Sequence, residues 1–133
     1  MNSNSLWPID LVPDSDPDVP LSILRQQADL LGEKTGGQVI ADVEMGSIMT
    51  GVMLDFVLLA PSLQNYRYRL FKVIHPLENY PLDLILLSGE VLHPDTADEF
   101  RDELRSIFAS DATRRAIGEL MAYSAEQEFR RSA

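Results

Sequence analysis

The chain contains no cysteine, which excludes disulfides, thiol catalysis and thiolate metal sites. It has only two histidines, His75 and His93, so any imidazole general base must be one of them. Basic residues are scarce, 11 Lys and Arg against 21 Asp and Glu, for a net charge of −10. That balance opposes attraction to phosphate backbones and anionic membrane surfaces. The longest apolar stretch, Ile48 to Ala60, is broken by Thr50 and Asp55 and is too short to span a bilayer. There is no basic start followed by an apolar run, so no secretory signal is expected, and a cytoplasmic protein is the expectation.

At 133 residues, 45% hydrophobic and 24% charged, the chain can fold as one domain without staples. Its acidity is uneven. Residues 10–55 hold nine acids against Arg25 and Lys34, whereas residues 56–94 balance three acids with three bases. This reads first as solubility and second as a surface that captures a basic partner.

Residues 1–19 form an irregular arm. Pro8, Pro13 and Pro17 recur among Asp and Ser and prevent a helix or a sheet ladder. Leu6, Trp7, Ile9, Leu11 and Val12 make the arm too apolar for a free tail, so Trp7 is expected to anchor it on the domain or on a neighbouring subunit. Residues 20–133 form the domain. Asp18 reads as a helix N-cap before Pro20. Leu21, Leu24, Ala28 and Leu31 make the buried stripe, and Gly36-Gly37 the stop.

Four strands follow: Gln38–Met45, a turn at Gly46-Ser47, Ile48–Ala60, Tyr66–His75, and Leu82–Leu87, the last continuing through Val91-Leu92 past Ser88-Gly89. Ile48–Ala60 is apolar on both faces, the mark of a central strand covered twice. In Tyr66–His75, alternation puts Tyr66, Tyr68, Leu70 and Ile74 on one side and Arg67, Arg69, Phe71 and Val73 on the other. Thr96-Ala97-Asp98-Glu99 is a capping box for a helix carrying Phe100, Leu104, Ile107 and Phe108. Ser110 or Asp111 caps a last helix, with Ala116, Ile117, Leu120 and Met121, that frays beyond Ser124, where Phe129 is a docking candidate. The expected fold is α+β, in the order α-β-β-β-β-α-α, a four-stranded antiparallel meander with helices mainly on one face.

No catalytic kit emerges. Asp14-x-Asp16-x-Asp18 has the spacing of a calcium loop, but the sixth and twelfth positions, which need Gly and Glu, hold Val19 and Arg25. Glu90-x-x-His93 matches a di-metal motif but is single and ends a strand. His75 and His93 both precede prolines and read as solvated strand ends at one sheet edge. Tyr66-Arg67-Tyr68-Arg69 with Lys72 is a weak nucleic-acid footprint. The two arginines are expected to pair with Asp42, Glu44, Asp55 or Asp83. Met49 and Met53, with Val57, share a strand face as core or as an adaptable contact patch.

The expected function is therefore a non-enzymatic protein-interaction module, a small acidic adaptor that binds a partner protein or itself, a homodimer being favoured. It is not expected to bind nucleic acid, membrane, metal or cofactor. The expected contacts are Trp7, Met49, Met53, Val57, Tyr66, Arg67, Tyr68 and Arg69. In size and acidity the chain resembles type III secretion chaperones and small immunity proteins, although the helix after the third strand of those chaperones has no counterpart here. The alternative is a small-molecule or enzymatic site between sheet and helices, anchored by Arg67, Arg69, His75 or His93.

Overall fold

The computed structural model describes residues 5–11 and 16–132; Val12, Pro13 and Asp14, with that portion of the arm and of the calcium-loop reading, lie outside them. Helix α1 (Pro20–Lys34) is followed by β1 (Ile40–Ile48), β2 (Gly51–Ala60), a 3-10 turn (Pro61–Leu63), β3 (Tyr66–His75), β4 (Asp83–Leu86), β5 (Val91–Leu92), α2 (Ala97–Ala109) and α3 (Asp111–Ser132). The strands form one antiparallel sheet in the order β1-β2-β3-β4-β5. There are five strands rather than four because the chain reverses after Leu87. Leu86 N–H donates to Glu90 O and Gly89 N–H to Leu86 O, both at 2.9 Å, which folds Val91-Leu92 back as a separate strand.

The first hairpin turns later than the sequence suggests. Gly46-Ser47 stays in β1, and the reversal falls at Met49-Thr50, with Ile48 opposite Gly51. Gly46 has no side chain, so Met53 opposite it can lie across the gap; a Cβ there would meet the Met53 methyl at 3.4 Å. Gly51 is held closer still, since a Cβ would stand 2.2 Å from the His75 carbonyl oxygen. Only glycine allows β2 to start against the end of β3.

The helix ends also differ in detail. Val19, not Asp18, is the N-cap of α1, and no side chain caps it; Asp18 is occupied elsewhere, as described below. Beyond Lys34, Gly36 and Gly37 adopt φ of 62° and 81°, and Gly37 N–H reaches Gly32 O at 2.9 Å, closing the helix in a Schellman turn. Thr35 Oγ1 donates to Val39 O at 2.7 Å and accepts from Val39 N–H at 3.2 Å, so one hydroxyl sets the entry to β1. In α2, Thr96 accepts from Glu99 N–H, while Glu99 reaches Asp95 N–H rather than that of Thr96. Helix α3 is capped by Ser110, whose Oγ accepts from Thr113 N–H. It runs to Ser132 instead of fraying at Ser124, and Phe129 is exposed rather than docked.

A β-bulge decides which side chains face which way. Phe56 opposes Phe71, but Val57 opposes Arg69, leaving Leu70 as the extra residue of β3. Leu70 and Phe71 are consequently both buried, and alternation changes phase between them. Tyr66, Tyr68, Leu70, Phe71, Val73 and His75 face the helices. Arg67, Arg69, Lys72 and Ile74 face the other way. Strict alternation had placed Phe71 and Val73 with the arginines, and Ile74 with the tyrosines.

All three helices contribute to the core on one face. Ile23, Leu24 and Ala28 of α1, Phe100 and Leu104 of α2 and Leu120 of α3 join Val43, Leu54, Phe56, Leu58, Phe71, Val73 and Leu84. Phe56 and Phe71 stack across strands with centroids 5.1 Å apart, and Phe108 leans on both at 5.6 and 6.2 Å. Such aromatic pairs add about 0.5–1.5 kcal/mol beyond area burial.

Gly51→Ala should cost at least about 1–3 kcal/mol, as an overpacking substitution whose obstacle is backbone. Urea unfolding followed by far-UV circular dichroism measures it, and an unchanged midpoint would contradict the close approach to His75.

Candidate functional site

The sheet has two very different faces. On the face away from the helices, Glu44 of β1 and Asp55 of β2 stand opposite each other, as do Asp55 and Lys72 of β3. Arg67 reaches over β2 to ion-pair with Glu44, whose hydrogen bond and charge raise the guanidinium above its usual range. Val57, lying on β2 beneath this arch, is only 3% exposed without any helix above it. Arg69 approaches Asp55 at 3.9 Å, and His93 meets Asp83 at 2.8 Å. Met53, Leu59, Ile74 and Ile85 are half-buried among these charges. The apolar surplus of β2 is thus shaded by a charge lattice and is not an open greasy face.

The second surface is a groove on the helix side. β3 spans ten residues and β4 four. β4 pairs only with Phe71–Ile74, so among the described residues Tyr66–Leu70 has a strand on its β2 side and none on the other. Beside this unpaired edge lies a space of about 730 Å³ between Leu63, Tyr66 and Tyr68 on one wall and Ala112, Ala116 and Tyr123 of α3 on the other. It continues past Tyr68 and Ala112 into a second space of about 360 Å³ under Leu86, Leu87 and Ile107. Arg115 and Glu119 both line the first space, and neither has an ion pair among the described residues.

The contact residues named from sequence therefore divide. Tyr66 and Tyr68 line the groove. Met53, Val57, Arg67 and Arg69 belong to the opposite face, and Met49 stands fully exposed in the β1–β2 turn. Trp7 is 73% exposed and does not anchor the arm on its own domain. The groove itself escaped sequence reasoning. Its one signal was the disparity in length between the third and fourth strands, with Ala112 and Ala116 facing the gap.

Nothing catalytic assembles among the described residues. His75 is buried rather than solvated, with Nδ1 2.7 Å from Pro76 O. His93 is at the same end of the sheet but on the opposite face. Arg67 and Arg69 are on the face away from the helices, so the four polar anchors of a sheet–helix pocket do not converge. Among the described residues no group of three or more His, Asp or Glu is placed to hold a metal ion, and no helix is long and apolar enough to cross a membrane. The chain matches no protein-family profile, no curated protein and no solved structure.

The root of the arm is fixed firmly. The Tyr80 hydroxyl donates to Asp18 O at 2.7 Å, and Arg101 donates to Asp18 Oδ1 at 2.8 Å and to Pro17 O at 3.3 Å. Tyr80 also lies edge-on to Phe100 at 6.3 Å. Burial pushes its phenol up to about 12. The folded protein therefore holds this proton more tightly than the unfolded chain does. The associated stability is fully present below the unfolded value near 10 and is lost as pH rises toward about 12. Absorbance titration should show a late phenolate that Tyr80→Phe removes, and the same substitution should cost about 1 kcal/mol at neutral pH. A late phenolate that persists in Tyr80→Phe would refute this placement.

Proposed function

We propose that this protein is a non-enzymatic protein-interaction module of the cytoplasm that grips an extended segment of a partner chain in the groove beside Tyr66–Leu70. The reading is carried by the coincidence of an unpaired strand edge with an apolar trough along it. An extended segment laid there gains ladder hydrogen bonds from the β3 backbone and seats alternate side chains between Tyr68 and Ala116. The acidic remainder of the surface keeps the module soluble and steers basic partners toward it. The alternative, a small-molecule site, would use a separate space of about 300 Å³ between α1, α3 and the sheet, walled by Leu30, Phe56, Phe108 and Ile117.

Native mass spectrometry of the protein isolated at its natural level, as wild type, Ala116→Arg and Arg67→Ala, tests the proposal. The expected outcome is a stoichiometric complex with another protein for the wild type and Arg67→Ala, lost in Ala116→Arg. A protein complex indifferent to Ala116→Arg overturns the groove, and a bound small mass in place of protein overturns the adaptor reading.

A further inference from the structure

We infer that, without a client, the groove takes the arm of a second copy of this chain, with Trp7 as its anchor. The inference rests on the groove reading above and names its resident ligand. Leu6 is 99% exposed, Trp7 73% and Ile9 98%, and the hydrogen bond described within residues 5–11 is local, Trp7 N–H to Ser5 Oγ at 3.2 Å. An aromatic and two aliphatic side chains in one short segment are thus left in water while an apolar trough of about 730 Å³ stays unfilled. The pattern of the arm suits that trough. Once the turn at Ile9-Asp10 straightens, Trp7, Ile9 and Leu11 share one side of an extended segment and Asp10 points away. Pro8, which cannot donate, falls at a position whose N–H would face away from β3, leaving Trp7 and Ile9 to make the ladder bonds.

The starting point of the arm suits a second copy as the occupant. Its root is tied to Tyr80 and Arg101 at the N-terminus of α1. The groove lies at the other end of the sheet. There Ala60 opposes Tyr66, and the last turn of α1 joins β1 through Thr35 and Val39. The 15 residues of α1 separate the two ends by about 22 Å. Root and groove at opposite ends are what a two-fold exchange requires: side by side and antiparallel, each copy brings its root to the other's groove. A client segment then competes with the arm, and binding becomes an exchange of one strand for another.

Trp7 is the only tryptophan, so intrinsic fluorescence reports the arm alone. In Ala116→Arg the groove is blocked and the indole should emit as a solvated one. Trp7→Ala is dark but keeps its groove. Mixing the two should shift the emission to the blue and cut quenching by iodide several-fold, in step with dimer formation by sedimentation velocity. Ala112→Arg serves as a second blocked variant, and circular dichroism establishes that each variant is folded. An indole that stays solvated in the mixture overturns the exchange, as does wild-type burial that does not vary with concentration, which would mean docking on its own chain. The two readings fail separately. If Trp7 stays solvated while Ala116→Arg still loses the client, only the exchange is wrong; if the client survives Ala116→Arg, the groove is wrong.

Discussion

The extra residue at Leu70 determines most of what this fold does. By admitting Leu70 and Phe71 to the core in succession, it lets β3 keep all of its cations on one face and its aromatic and aliphatic side chains, Ile74 excepted, on the other. Without the phase change, Phe71 and Val73 would emerge beside Arg67 and Arg69, and the stack of Phe56 on Phe71 under Phe108 would not form. The bulge also marks where pairing stops. β4 joins β3 from Phe71 onward, and a bulged strand twists more strongly. The groove begins where that pairing ends.

Each face solves its exposure problem differently. The helix face is covered by apolar packing over most of its area. The other face has no covering layer among the described residues, and long charged side chains shield it, most completely at Val57 under the Arg67–Glu44 arch. This answers the puzzle of a strand apolar on both sides without a second layer. Uncovered apolar surface is found at the margins instead: in the groove, at the hairpin tip around Met45 and Met49, and in the arm.

The fold was largely legible in the sequence because periodicity and capping are local. The Leu24–Ala28 stripe, the Thr96–Glu99 box and the alternating strands need only near neighbours to be recognised. What escaped was set by distant contacts. Asp18 has the chemistry of a cap, but Arg101 and Tyr80 claim it. Gly46 looks like a turn, yet it clears a path for Met53, and the true turn is fixed by the crowding of Gly51 against His75. Leu70-Phe71 looks like ordinary alternation because both residues are apolar, so the sequence pattern hides the slip. For the site, Tyr66 and Tyr68 stand out in the sequence for their company with arginine, although the bulge and the short fourth strand give them a different surface. A groove made by two strands of unequal length is a tertiary property that no single segment displays.

The lashing of Asp18 has a mechanical side. A pull on the arm does not act first on the end of α1, where backbone bonds would open turn by turn. It is received by the Tyr80 hydroxyl and the Arg101 guanidinium, which hold Pro17 and Asp18 together and pass the load sideways into α2 and the loop before β4. Bonds loaded side by side must break together, whereas bonds loaded in series give way singly. A partner tugging on this arm would therefore have to break these bonds before it disturbed the first helix.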